Sequence, residues 1–170
     1  MQILETDRLV LRRLQPEDID SLFALYRDPD IRRYFPEGTL SYEETRRELD
    51  WFIGGGDPDH PALGLWATIH KESQAFIGRS GLIPWTIDGT LEIEIAYLLA
   101  KSHWRLGLGR EIAQALVRYA FDVLDLPRLI ALIDPGNEAS RRTAMAAGLR
   151  YERDLTLDGT YCCLYAIARS

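Results

Sequence analysis

Cysteine is nearly absent from this chain: Cys162 and Cys163 are the only two, and they are adjacent. Neighbours on a strand point to opposite faces, so this pair is not expected to close on itself. Two cysteines at that spacing build neither a disulfide framework nor a metal site, which fits a reducing cytosol. His60, His70 and His103 are the only histidines and lack ligand spacing, so no metal is expected. No apolar run approaches the ~20 residues of a membrane span. Met1 to Arg8 lacks the basic stretch and apolar core of a secretory leader. The expectation is therefore a cytoplasmic protein that does not enter membranes. Positive charge is also in deficit, with 20 Lys and Arg against 26 Asp and Glu and a formal net charge of −6. Nucleic-acid binding runs on phosphate neutralisation, so nucleic acid is not an expected partner. Internal repeats and low-complexity segments are missing too.

What remains suits one domain over residues 1–170. A length of 170 residues with 46% hydrophobic content supports one core without disulfides or a structural metal. Monomer and homodimer both stay open.

Periodicity divides the chain. Arg8 to Leu14 reads as a strand. Pro16, Glu17 and Asp18 then have the form of a helix start, and Ile19, Leu22, Phe23 and Tyr26 recur at helical spacing until Asp28-Pro29. Ser41 followed by Glu44 has capping-box form and predicts a second helix to about Phe52. Gly54-Gly55-Gly56 reads as a connecting loop. Leu63–His70, Phe76–Pro84 and Leu91–Leu99 are strand-like, with Asp88-Gly89 as a hairpin signal. A long amphipathic helix is predicted from about Gly107 to Val123, and a strand at Arg128–Ile133. A helix over Asn137–Ala147 should close at Gly148, and a last hairpin should turn at Asp158-Gly159. The fold class is α+β on a mixed, mostly antiparallel sheet. The unit from about residue 91 to 133 should supply one parallel pair.

The chemistry-bearing stretch runs from Glu92 to Arg110. There a strand ends, a short loop follows, and a helix opens with Gly107 and Gly109. First-turn amides of a helix have no internal partners and lie at its positive end. Glycines let a pyrophosphate approach the backbone, and Arg105 and Arg110 flank them. Gly-x-Gly alone would read as a tight turn before a helix.

Its context is more specific. Trp104-Arg105-Leu106-Gly107-Leu108-Gly109 resembles motif A of the GNAT superfamily of N-acetyltransferases, with tryptophan where glutamine or arginine is usual. That tryptophan is similar to the branch that acetylates N-termini of ribosomal proteins. Leu4 to Arg12 followed by Pro16-Glu17-Asp18, the strand Glu94 to Leu99, and Asn137 to Ser140 followed by Gly148 resemble the same branch, in the same order, over nearly the whole chain.

The resemblance implies helices on both faces of the sheet and a parallel pair that splays at the cofactor. Acetyl-coenzyme A (acetyl-CoA) would add its pantetheine arm to the strand edge at Tyr97, Leu98 and Leu99. The amides of Leu106, Gly107, Leu108, Gly109 and Arg110 would hold pyrophosphate, with Arg105 and Arg110 adding charge. Asn137 and Ser140 would contact the pantetheine, although Asn137 is equally a helix cap. The reaction would be direct attack of a neutral amine on the thioester. An α-amine has a pKa of about 7.7–8.0 and a lysine about 10.4, so a base is needed. Glu94 is the first candidate, since a carboxylate in a central strand asks for a reason; Glu92 is second, on the same face. Alternatively, Glu94 pairs with Arg79 or Arg105.

Many relatives protonate the leaving thiolate with a tyrosine, but its position here is Ala144. Ser140 is the remaining catalytic candidate in that motif. The cysteines are expected in the core. Tyr34, Phe35, Trp51, Trp66 and Trp85 are available to line an acceptor site. The acceptor could be a protein N-terminus or a small amine, and bulk acidity favours a cationic one. A competing reading is an acyl-CoA-binding regulator with little catalysis, and a weaker one is a pure interaction module.

Overall fold

The computed structural model describes all 170 residues. An eight-stranded sheet has the spatial order β1-β2-β3-β4-β5-β6-β8-β7. The strands are β1 (Gln2–Glu5), β2 (Leu9–Arg12), β3 (Gly64–His70), β4 (Phe76–Ile87), β5 (Thr90–Leu99), β6 (Arg128–Ile133), β7 (Arg150–Leu157) and β8 (Thr160–Ala168). The helices are α1 (Ile19–Tyr26), α2 (Tyr42–Ile53), α3 (Leu108–Asp122) and α4 (Glu138–Ala146). Every neighbouring pair is antiparallel except β5 and β6.

Local chemistry sets the element ends. Ser41 Oγ accepts from the Glu44 amide at 3.1 Å and the Ser41 amide donates to Glu44 Oε1 at 2.9 Å, so α2 opens on a reciprocal cap. Asp88 and Gly89 have φ of 50° and 78°, which only a turn of the primed type uses at both positions. Gly148, at φ 100°, ends α4 in the left-handed region.

The structure extends the sequence reading in two places. The edge strand β1 was not expected. It is four residues long, bulged against β2, and only Ile3 and Leu4 are half-buried, so it lacks an alternating pattern. Strand β4 runs past Pro84 to Ile87. Strand β3 stops at Gly64 opposite Leu82, so Pro84 lies where β4 has only β5 beside it. Proline is tolerated at such a local edge because no ladder donor is missed there.

The sheet is covered on both faces. Leu108, Ile112, Leu116 and Ala120 of α3 are fully buried with Ile93, Ile95 and Leu99 of β5. Burying each large side chain of that stripe contributes roughly 1.5–3 kcal/mol. On the opposite face, Leu22, Leu25 and Tyr26 of α1 and Leu49 of α2 pack with Ala67 and Leu98. The alternation of β5 thus sends odd residues toward α3 and even residues toward α1 and α2.

Candidate active site

Strands β5 and β6 are paired at one position, Glu94 opposite Ile130. Beyond it β5 continues to Leu99 and β6 to Ile133 without pairing, so the two strands diverge. A cavity of about 610 Å³ occupies the divergence and is lined by both strand edges, by Asn137 and Ser140, and by residues around α1 and α2. Because the edges are open there, even and odd residues of β5 both reach it.

The loop after β5 leads into α3, where Gly107 and Arg110 line a second, polar hollow with Thr6 and Arg8. Arg105, at φ 62°, and Gly107, at φ 78°, both adopt left-handed backbone, and Gly107 is the residue before α3. A non-glycine residue in that region is uncommon and strained, and such strain gathers at functional loops. The amides of Leu106, Gly107, Leu108, Gly109 and Arg110 have no backbone acceptor. Two side chains brace the loop from outside. Trp104 Nε1 donates to Leu99 O at 2.8 Å, and Arg8 Nη1 donates to Leu106 O at 2.9 Å. Glu111 Oε1 fixes Arg8 Nε at 3.0 Å. A Cβ at Gly109 would meet only Thr143, at 3.9 Å, so the fold itself does not require glycine there. The result is a row of free donors at a helix's positive end, which is chemistry for an anion. The side chains of Arg105 and Arg110 are exposed beside it.

On the α3 and α4 side, Asn137 Oδ1 accepts from the Ser140 amide at 3.1 Å, so the cap role of Asn137 is real. Ser140 Oγ lies 3.2 Å from Tyr97 Oη. Burial raises the Tyr97 phenol above its ordinary pKa against hydrogen bonds from Ser140 and Thr143, so it stays protonated at neutral pH. Sequence reasoning named Tyr97 for its backbone only. Its hydroxyl was missed because the pairing with Ser140 crosses 43 positions. Ala144 is 1% exposed in the α3 core, so its side chain is given to packing.

On the other side, Glu94 is half-buried and lines the cavity. Trp85 Nε1 donates to its Oε1 at 3.0 Å. Loss of solvent raises its pKa to about 6, outweighing the Trp85 bond, the Arg79 charge and the Leu132 amide, which lower it. Glu92 shares the face but is spoken for: it holds Arg128 at 3.0 Å, and Arg128 also pairs with Glu152 at 2.7 Å. Glu94 makes no ion pair with Arg105 and feels Arg79 only through its field.

Arg32, Arg79, Phe35 and Glu48 complete this side. Arg32 and Glu48 were not singled out in the sequence, since they come from separate segments with no local pattern. Of the five aromatics expected near an acceptor, Tyr34, Phe35 and Trp85 line the cavity. Tyr34 Oη also reaches Gly136 O at 3.0 Å, across the opening. Trp66 instead packs edge-on against Tyr119 under α3, and Trp51 is 54% exposed. The cysteines divide: Cys163 is half-buried, whereas Cys162 is buried in the cavity wall.

Residues 8–150 match the acetyltransferase (GNAT) domain. The chain belongs to the GNAT acetyltransferase family. Among relatives of this acetyltransferase, the Bacillus subtilis (strain 168) protein YkkB is 33% identical over 153 residues, covering 89% of this chain and 87% of YkkB. The uncharacterized N-acetyltransferase YoaA of the same organism is 28% identical over 88% of this chain and 84% of its own length. The GNAT-family acetyltransferase from Bacillus anthracis has the same fold, with a TM-score of 0.82 at 24% identity over 99% of this chain and 98% of that one. As an acetyltransferase, the enzyme moves an acetyl group from acetyl-CoA, and a β5–β6 opening together with free amides at the start of α3 is suited to such a donor.

Proposed function

We propose that this enzyme transfers acetyl from acetyl-CoA to a primary amine by direct attack on the thioester, in a single domain spanning residues 1–170. The carrying observation is the β5–β6 divergence: it opens a cavity onto the half-buried carboxylate of Glu94, and the same strand β5 leads into the free amides of Leu106–Arg110.

The unpaired edge at Tyr97, Leu98 and Leu99 is the surface to which a pantetheine amide chain would bond as an added strand. Pyrophosphate would take the Leu106–Arg110 amides, with Arg105 and Arg110 supplying charge. Asn137 and Ser140 would flank the pantetheine. Glu94, with a pKa of about 6, is a carboxylate at neutral pH and takes the proton of the attacking amine. The amine nitrogen bonds to the carbonyl carbon and the carbon–sulfur bond breaks. The departing sulfur takes a proton from the Tyr97–Ser140 hydroxyl pair, which water then restores. A backbone amide near Leu98, on the open edge of β5, is the donor proposed for the oxyanion.

The reading of a regulator without catalysis drew on Ala144 and on the uncertain base. The Tyr97 hydroxyl of β5, beside Ser140 of α4, offers a donor from outside that helix, and Glu94 offers a base, which weighs against that reading. The Trp104 motif supports a place near the ribosomal-protein N-terminal acetyltransferase branch. We place the enzyme in the cytoplasm, as a monomer or homodimer; no helix is long and apolar enough to cross a membrane. The test is thermal stabilisation by acetyl-CoA followed by free-thiol release across peptides and small amines. Stabilisation with amine-dependent thiol release is expected. No stabilisation at saturating acetyl-CoA would overturn the reading.

A further inference from the structure

The α1–α2 side of the cavity holds two buried cations. Arg32 and Arg79 are 4% and 5% exposed, and both line the cavity. A guanidinium carries five N–H donors and no acceptor, so each donor needs a partner or solvent. Arg32 spends Nε on Gly38 O at 2.8 Å. Its nearest carboxylate, Glu37 Oε2, is 3.7 Å from Nη2, beyond hydrogen-bond range. Arg79 spends Nε on Tyr26 Oη at 2.9 Å. The Nη groups of both residues make no hydrogen bond within the protein. They are not sealed off either, because His70 Nδ1 is the one buried side-chain polar atom lacking a partner.

The nearby carboxylates act on these charges only through their fields and hydrogen-bond neither fork. Glu48 accepts from Tyr26, Glu37 is 65% exposed, and Asp134 Oδ1 accepts from the Gly136 amide at 2.8 Å. The Phe35 ring lies 4.0 Å from Arg32 Cζ and the Tyr26 ring 5.1 Å away, which fixes the guanidinium in place. Burial, and then the field of Arg79, lower the pKa of Arg32, so the two cations oppose each other. Two like charges are thus held on one cavity wall with their bidentate ends unused. A carboxylate or phosphate fills such a fork with paired N–H···O bonds.

We infer that Arg32 and Arg79 form an oxyanion subsite, and that the acceptor is a small amine carrying a carboxylate or phosphate-type group. This rests on the acetyl-transfer reading above. Glu94 and Asp134, on the other part of the lining, receive the amine. This reading follows the local charge of the cavity wall rather than the bulk charge of −6, which would favour a cationic acceptor.

The test compares matched acceptors: common amino acids, their decarboxylated amines, an aminoalkyl phosphonate, and a peptide with a free N-terminus. Thiol release is measured for wild type, Arg32→Gln, and Arg32→Lys, which keeps the charge but loses the fork. Melting with acetyl-CoA is followed in parallel. An anionic member should exceed its decarboxylated partner at least about tenfold in kcat/KM, since hydrogen bonds to charged groups contribute that much. Arg32→Gln should remove this preference, lowering kcat/KM at least about tenfold more for the anionic member than for its decarboxylated partner, and Arg32→Lys should fall between. The carboxylate and phosphonate arms tell the two oxyanions apart. A preference for decarboxylated amines or the peptide, or equal losses for both members of a pair, would overturn the subsite. Absence of all turnover despite stabilisation by acetyl-CoA counts against acetyl transfer instead. Calorimetric titration of the same amino acids into CoA-loaded protein then judges the subsite: binding lost in Arg32→Gln supports it, and no binding by any anionic member refutes it.

Discussion

The two sides of β5 are built from different material. Toward α3 and α4, the groups offered to a ligand are mainly backbone, the edge of Tyr97–Leu99 and the free amides of Leu106–Arg110, with a few polar side chains beside them. Toward α1 and α2 they are side chains, Arg32, Arg79, Glu48 and Glu94, drawn from four separate stretches. A backbone site tolerates changes of side-chain identity but not of bulk. A side-chain site can change its ligand by one substitution without refolding. The contrast explains how one scaffold can keep its donor while altering its acceptor.

That contrast can be broken most severely at Gly109. Gly109→Glu places a carboxylate among the amides proposed for pyrophosphate, and juxtaposed like charges cost several kcal/mol. Acetyl-CoA affinity should fall by about a thousandfold or more, measured by calorimetry, while the melting temperature without ligand stays close to wild type because only Thr143 is near. Loss of the fold would show that the glycine serves packing instead.

Glu94→Gln sharpens the comparison from the other side. Turnover should drop about a hundredfold, as for loss of a general base, with acetyl-CoA affinity unchanged. The wild-type rate should rise with pH through about 6 and the variant should lack that limb. Stability should move oppositely. The folded pKa lies above the ordinary carboxyl value of 4.5, so the native state holds the proton more tightly and loses stability as pH rises from about 4.5 through about 6. Removing the charge should therefore return up to ~2 kcal/mol at neutral pH, read from denaturant titration.

Asn137→Ala removes the α4 cap, and a stability loss of about 1 kcal/mol is expected by chemical denaturation, with weaker acetyl-CoA binding. The smallest effect belongs to Arg8→Ala. Arg8 braces Leu106 O but is 44% exposed along its side chain, so we expect under about 1 kcal/mol of stability and a few-fold rise in acetyl-CoA Kd by calorimetry.

Legibility followed the same division. Helix starts, primed turns and the Gly107–Gly109 spacing are local, because backbone conformation is dictated by neighbours in sequence. The same holds for the helix limits at Ser41 and Gly148. The Arg79–Tyr26–Glu48 chain and the Tyr97–Ser140 contact join residues 53, 22 and 43 positions apart, so no local pattern could announce them. Strand β1 was missed for another reason: a short, bulged edge buries too little to alternate. The exclusion of Trp66 from the cavity likewise depended on which sheet face β3 presents there, and periodicity alone leaves that choice open.

The most direct test of the central claim is amide-resolved NMR titration with coenzyme A. The largest shifts should fall on the backbone amides of Leu106–Arg110 and along Tyr97–Leu99, with those of Arg32 and Glu48 little changed. Shifts confined to the α1–α2 side, or none at the start of α3 at saturation, would contradict the account.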